Sequence, residues 1–401
     1  MRPAQPPVWM IIPTYYPVVG GAQVQVEQLS AALAAGGRPV TVLTRRHSYA
    51  HPAGLPAAES RGGVPIRRFD SPGGGRIGAV RFVLSGLWFL ARRGRRGIYH
   101  AHDTGAAGWL ALAARRLLGG RCLVKLRTGR VAYEASLRSP LARWQFRALL
   151  AAADRVIVVN REVQDLVTAL GVPPERLAWV PNGVDVERFR PAAPNEKARA
   201  RAQLGLAAGE RVALYVGRLE HMKGVDLLLA GWGRLDPALR QAARLVLVGD
   251  GPERAALEAL ARSLGLADSV RFAGEQPGVL DYYHAADLFV LPSRTEGLSN
   301  ALLEAMACGL PVAVSRVGGA LDLVQDGVSG LFFEPEDAAL LARRLESLFD
   351  ASAGWARMGQ AARASVTANA SLAATIQRVE DLYQQLTEGA PARRPVDEYG
   401  A

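Results

Sequence analysis

Strand-length apolar runs alternate with helix-length amphipathic stretches along nearly the whole chain, and they do so in two successive series. The first series has runs at 8–12, 40–43, 98–100, 122–126 and 155–159, with helical patterns at 23–35, 106–118, 141–152 and 161–170. Such runs are apolar at consecutive positions, which suits strands buried on both faces, and the helices supply the crossovers of a parallel sheet. The second series begins after the turn sequence Pro181-Asn182-Gly183, with strands expected at 212–216, 245–248, 270–272, 288–291 and 312–314. The chain therefore reads as α/β, with two Rossmann-like domains at residues 1–185 and 186–370. A last helical stretch at 371–387 comes after the second sheet and is expected to pack toward the first domain, while the Pro-, Gly- and charge-rich segment 388–401 is expected to be disordered. No strand stands out between 49 and 76, so this stretch, with Gly73-Gly74-Gly75, reads as an irregular surface loop.

A length of 401 residues fits two ordinary domains. No apolar run approaches the roughly 18 residues of a membrane span, and the first residues lack a signal-peptide pattern, so a cytoplasmic protein is expected. Cys122 and Cys308 lie in apolar stretches without a CxxC pair and read as small buried hydrophobes. The net charge of +11 is uneven: 25 Lys+Arg against 10 Asp+Glu up to Asp185 give +15, and the remaining 23 against 27 give −4. The positive charge gathers at Arg67-Arg68, Arg92-Arg93, Arg95-Arg96, Arg115-Arg116, Arg138, Arg143 and Arg147, near Trp88, Phe89 and Trp144. Such a face can bind anionic lipid, nucleic acid or a phosphorylated substrate; the competing reading is a surface of solvated arginines.

In open α/β sheets ligands bind beyond the carboxyl ends of strands, so the residues just after each apolar run are the informative ones. After 8–12 come Gly20-Gly21, which would let backbone approach a phosphate at a helix start, although a plain turn explains them equally. After 212–216 come Arg218 and Lys223, two cations five positions apart on a loop closed by Gly224. They can neutralise one diphosphate, against the alternative of an ordinary charged turn. After 288–291 comes Glu296-Gly-Leu-Ser-Asn-Ala-Leu-Leu-Glu304. Ser299 is a good N-cap, which puts Glu296 on the preceding loop and Glu304 within the helix. A helix start with an acid on each side suits a nucleotide sugar, because the bare N–H groups favour phosphate and carboxylates accept from sugar hydroxyls. After 98–100 come His102 and Asp103, where a hydrogen-bonding role competes with helix capping; His100 and His102 have no evident third metal ligand.

Taken together, PTYYPVVGGAQ, VPNGVDVERFRP, YVGRLEHMKG, LVGDGPE, VRFAGEQ, AADLFVLPSRTEGLSNALLEAMACGLPVAVSRVGG and QDGVSGLFFEP resemble the glycosyltransferases of family 4, over about residues 8 to 380. The resemblance implies the GT-B fold, two Rossmann-like domains facing across a cleft, and retaining transfer of a sugar from a nucleotide-diphosphate donor without a metal or other cofactor. By that similarity Arg218 and Lys223 bind the donor diphosphate, Gly20 and Gly21 approach it, Glu304 holds the ribose and Glu296 faces the sugar. Leu298, Ser299 and Asn300 contribute backbone or side-chain contacts. One departure stands out: where many members carry Thr-x-His-Gly, this chain reads Leu123-Val-Lys-Leu-Arg-Thr-Gly-Arg130, so Arg127 or Thr128 occupies the place of the histidine. His102 is the candidate substitute, with Asp103, Arg127 and Thr128 on the acceptor side.

The expected partners are a nucleotide-sugar donor, UDP-linked by family frequency, a glycan or lipid-linked acceptor, and an anionic membrane surface met through 81–96, where Phe82, Leu84, Trp88, Phe89 and Leu90 lie among arginines. Nucleic acid is not expected, since no recognition motif accompanies the charge. The competing enzymatic reading is a nucleotide-sugar epimerase of the same fold. A dinucleotide oxidoreductase lacks its GxGxxG, and a non-catalytic basic binding protein would leave Glu296 and Lys223 dispensable.

Overall fold

The structure is a computed structural model that describes residues 5–18, 20–47, 54–70, 75–93 and 96–388. Gly73, Gly74, Arg95 and the tail beyond Glu388 lie outside the described residues. The chain divides into two compact units, one formed by residues up to Pro181 together with those from Thr375 onward, the other by Asn182–Ala374.

Unit 1 contains β1 (Val8–Ile11), α1 (Gly21–Ala35), β2 (Val40–Arg45), β3 (Ala58–Arg61), β4 (Val64–Phe69), α2 (Gly75–Arg93) and β5 (Ile98–Ala101). It continues through α3 (Ala106–Leu118), β6 (Arg121–Lys125), α4 (Arg130–Ser136), α5 (Pro140–Ala152), β7 (Arg155–Val158), α6 (Arg161–Ala169) and β8 (Leu177–Trp179). The strands form one sheet in the order β3-β4-β2-β1-β5-β6-β7-β8. All pairs are parallel except β3 with β4. Phe82 and Leu90 of α2, Leu110 of α3, Leu149 and Leu150 of α5 and Val163 of α6 close one face against Trp9, Tyr99, Val124 and Val156. α1 closes the other face with Val26, Leu29 and Leu33 over Val8, Met10 and Val42.

Unit 2 contains α7 (Pro194–Gln203), β9 (Arg211–Val216), α8 (Val225–Trp232), α9 (Pro237–Gln241), β10 (Ala243–Val248), α10 (Arg254–Ser263), β11 (Val270–Gly274), α11 (Leu280–Ala285) and β12 (Leu288–Leu291). Then come α12 (Asn300–Ala307), β13 (Val312–Ser315), α13 (Ala320–Leu323), β14 (Gly330–Phe333), α14 (Ala338–Asp350) and α15 (Trp355–Ala370). Its sheet is wholly parallel, in the order β11-β10-β9-β12-β13-β14. The last helix, α16 (Leu372–Glu388), starts in unit 2 and runs into unit 1. There Val379, Leu382, Tyr383 and Leu386 join the core on the α1 side. Arg38 pairs with Glu380 at 2.6 Å, and Arg121 Nε donates to the Leu386 carbonyl at 2.8 Å.

Several expectations need correction. The stretch 49–76 holds the hairpin β3–β4, turned by Gly62 and Gly63 at φ +56 and +77. Pro65 inside β4 and the polar β3 sequence AESR hid it, since proline in a strand normally signals an edge or a break. The boundary between units falls after Pro181 rather than after 185, because Asn182 bonds to the Leu298 carbonyl within unit 2. Arg68 is not on a basic face: its guanidinium is buried, paired with Glu59 at 2.6 Å and donating to the Tyr16 carbonyl at 2.7 Å. Of the five apolar residues expected at a membrane, Phe82 and Leu90 are fully buried, Phe89 is half-buried and packs edge-on to Trp9 at 5.9 Å, and Leu84 and Trp88 are exposed.

Candidate active site

A doubly wound sheet has a switch point where the chain stops adding strands on one side and starts on the other, and the loops there splay apart to leave room for a ligand. In unit 2 the switch lies between β9 and β12. The loop after β9 carries Arg218 and Lys223, and the loop after β12 carries Glu296. Glycines allow these neighbouring loops to touch. Gly224 is left-handed at φ +65, and a Cβ there would lie 2.0 Å from the Pro292 carbonyl oxygen. Gly318 backs the acid loop in the same way, with an added Cβ 2.1 Å from the Glu296 carbonyl oxygen, while Gly319 N–H donates to the Gly297 carbonyl at 2.7 Å.

The side chains obey that approach. Lys223 Nζ lies 2.6 Å from Glu296 Oε2, with the two side chains 23% and 14% exposed, and Ser293 Oγ donates to the same oxygen at 3.3 Å. Arg218 reaches Glu220 at 3.1 Å but stays 65% exposed, able to turn onto a bound anion. Arg294, which carries no signal of its own in the sequence, stitches the loops together. Its N–H donates to the Met222 carbonyl at 2.9 Å, and its guanidinium donates to the His221 carbonyl at 2.7 Å. The same guanidinium forms a two-point pair with Asp226 at 2.8 and 2.7 Å and another with Glu336.

Ser299 caps α12, its Oγ accepting from Leu302 N–H at 3.3 Å. Leu298 is buried, and its carbonyl accepts from Asn182 Nδ2 at 3.0 Å; the same amide donates to Asn300 Oδ1 at 3.1 Å. Asn182 was legible only as part of a turn, because nothing in Pro-Asn-Gly announces a partner 118 residues away. Glu304, the fifth residue of α12, accepts from Tyr283 OH at 2.8 Å. Burial raises its carboxyl to about 7, against smaller downward pulls from the Tyr283 hydrogen bond and Arg188.

In unit 1 the switch lies between β1 and β5. Gly20 caps α1 and Gly21 is its first residue, in the loop that leaves β1. His102, just past β5, is buried: its ring stacks on His100 at 4.2 Å and its Nε2 lies 3.4 Å from Met10 Sδ. Burial, then His100, Lys125 and Arg127, hold its pKa well below the ordinary value, so the ring is neutral. His100 is pushed down to about 3 by burial and Lys125, and its Nδ1 lies 2.7 Å from Tyr383 OH. Burial lowers Lys125 to about 8. Asp103 accepts from Gly105 N–H at 2.5 Å in the loop before α3 and pairs with Arg127 at 3.1 Å, so the polar contact is present while α3, whose N-cap is Gly105, has no side-chain cap. Arg127 N–H donates to Tyr133 OH at 3.0 Å, and Thr128 bonds to the same phenol. Lys125 and Tyr133 are the residues of this group that sequence reasoning missed: Lys125 sits within the apolar run 122–126, and Tyr133 lies between the strand and helix patterns the sequence displays. Cys122 and Cys308 are buried free thiols raised to about 12 by burial. Among the described residues, no cluster of three or more His, Cys, Asp or Glu could hold a metal ion.

Residues 196–365 match the family described as Glycosyl transferases group 1, and residues 19–188 match Glycosyltransferase Family 4. The chain is 34% identical over 357 residues to a D-inositol 3-phosphate glycosyltransferase of Streptomyces bingchenggensis, covering 82% of this chain and 77% of that protein. It is 33% identical over 412 residues to D-inositol 3-phosphate glycosyltransferase 2 of Catenulispora acidiphila, covering 92% and 94%. Among solved structures, sucrose-phosphate synthase from Thermosynechococcus elongatus superposes with a TM-score of 0.84 at 28% identity, over 96% of this chain and all of that one. Anabaena HepE, solved in complex with UDP, gives 0.80 at 20% identity over 95% of this chain and 100% of its own, a likeness of fold. With two parallel α/β units, family matches over both, and relatives above 30% identity along most of its length, the chain belongs to the family 4 glycosyltransferases of the GT-B fold.

Proposed function

We propose that the chain is a retaining, metal-independent hexosyltransferase that uses a UDP-sugar as donor and the hydroxyl of a glycan or lipid-linked molecule as acceptor. The observation that carries this reading is the Lys223–Glu296 pair beside Arg218 and the capped start of α12, at the switch point of unit 2. A dianionic diphosphate arriving there draws Lys223 and Arg218 onto its oxygens, and the lysine's release leaves Glu296 free to accept hydrogen bonds from the sugar. The N–H groups at the start of α12 and the Ser299 and Asn300 side chains supply further donors, and Glu304 accepts from the ribose. The bond from the anomeric carbon to the diphosphate oxygen breaks as the acceptor oxygen bonds to that carbon on the same face. The acceptor proton passes to the departing diphosphate, whose charge the two cations offset. No histidine is required for that step, and neutral His102 serves as a buried neighbour of Arg127 on the acceptor side, its Nε2 facing Met10 Sδ.

The UDP assignment draws on HepE, whose structures hold UDP and UDP-glucose. The names of the 33–34% identical relatives favour a second acceptor reading, an inositol phosphate. The test is UDP release from UDP-sugars with and without acceptors of each class, with the anomeric configuration of the product followed by NMR. An α-donor giving an α-product supports the proposal. Isomerised donor without acceptor would favour the epimerase, and inversion would remove the retaining mechanism. Unchanged turnover in His102→Ala is expected; a large loss would restore a histidine to catalysis.

A further inference from the structure

The outer surface of the α2–α3–α5 layer in unit 1 has a character that donor chemistry does not use. α2 is apolar on two opposite sides. Gly78, Phe82, Gly86 and Leu90 point into the core, while Ile77, Val80, Leu84 and Trp88, spaced by three or four residues on the other side, are 67%, 57%, 61% and 60% exposed. Leu117 of α3 and Leu141 and Trp144 of α5 are bare as well. The helices lie close together: a Cβ on Gly86 would meet Leu110 at 2.5 Å, and one on Gly108 would meet Leu149 at 2.8 Å. A contiguous apolar stripe of this kind marks a contact surface rather than scattered surface residues.

The charge around the stripe is of one sign. α2, α3 and α5 carry Arg76, Arg81, Arg92, Arg93, Arg115, Arg116, Arg143 and Arg147, and their sequences contain no Asp or Glu. Arg115 is committed to Asp154 at 2.6 Å, but Arg76, Arg81, Arg92, Arg116 and Arg143 are exposed. The Arg92 guanidinium lies 3.8 Å from the centroid of the Trp88 ring, so the indole and the cation act as one amphipathic unit.

We propose that this face docks on an anionic lipid surface, with Ile77, Val80, Leu84 and Trp88 entering the headgroup boundary and the arginines taking lipid phosphates. A second copy of the chain would press like charges together, and a nucleic acid backbone would leave the aliphatic row without an apolar partner. No described helix is long and apolar enough to cross a membrane, so the contact is interfacial. The inference rests on unit 1 alone and stands apart from the donor assignment.

The experiment is co-sedimentation of the full chain with vesicles of phosphatidylcholine alone or mixed with phosphatidylglycerol, at two salt concentrations. Binding should require phosphatidylglycerol, weaken with salt, and fall about tenfold or more in Leu84→Ser/Trp88→Ser and in Arg76→Glu/Arg81→Glu. Melting temperature and donor hydrolysis should be unchanged in both variants, which separates lost docking from lost folding or chemistry. Equal binding to neutral vesicles, or variants that bind like the parent, would overturn the proposal. So would a dimer that dissociates in the Leu84→Ser/Trp88→Ser variant, or tighter binding to duplex DNA than to phosphatidylglycerol vesicles.

Discussion

Lys223 and Glu296 hold one another at 2.6 Å, so a variant in either changes the other's electrostatics. Lys223→Met removes a cation from the leaving group and should lower kcat/KM by about 100- to 1,000-fold, the scale of losing one preorganised charge contact. Glu296→Gln frees the lysine, so its signature should differ: UDP affinity held or improved while kcat falls. Titration calorimetry with UDP beside steady-state rates separates the two. Glu304 carries a pH prediction. Its folded pKa, about 7, exceeds that of an exposed glutamate, so the folded state binds the extra proton between roughly 4.5 and 7 and stability declines as pH rises through that window. A ribose hydroxyl donating to the carboxylate favours the ionised form, so UDP affinity should weaken as pH falls below 7. Both dependences should flatten in Glu304→Gln; a UDP affinity equally pH-dependent in the variant would remove Glu304 from that role.

At the scale of elements, the site is two loops brought into contact by glycines and a guanidinium. Gly224→Ala places a Cβ against the Pro292 carbonyl in a left-handed residue, a cost of about 1–2 kcal/mol from the backbone alone before the clash is counted. The melting temperature should fall by several degrees and activity by more than the unfolded fraction explains. Arg294→Met should raise KM for the donor without abolishing turnover, because Arg294 positions the Lys223 loop; rescue by lysine would be partial, since an ammonium cannot grip Asp226 at two points. The sequence displayed the parts of this site whose signals are local: the Ser299 cap, the cation loop, the glycine pairs. It hid Arg294, Asn182 and Tyr283, whose roles depend on partners 21 to 118 residues away. It also hid β3, β4, β8 and β14, where three to six residues, a proline or a glycine blur the apolar pattern.

For the molecule as a whole, the alternation of strands and helices was enough to indicate two parallel sheets, because consecutive apolar positions leave little alternative to burial on both faces. The path of α16 was less legible, as an amphipathic helix does not declare its partner. Deleting residues from Thr375 onward should strip Val379, Leu382, Tyr383 and Leu386 from the core of unit 1. At about 1.5–3 kcal/mol each, their loss approaches the whole stability of an ordinary domain, so the truncated chain should be largely insoluble or show no cooperative unit 1 transition. The same helix imposes an order on synthesis. Unit 2 is encoded without interruption, whereas unit 1, begun first, is completed only by α16, which follows the whole of unit 2 in the chain. The nascent protein therefore carries its oldest sheet with the α16 part of the α1-side face uncovered while the whole of unit 2 is being made, and a chaperone or the ribosome surface has that interval in which to guard it.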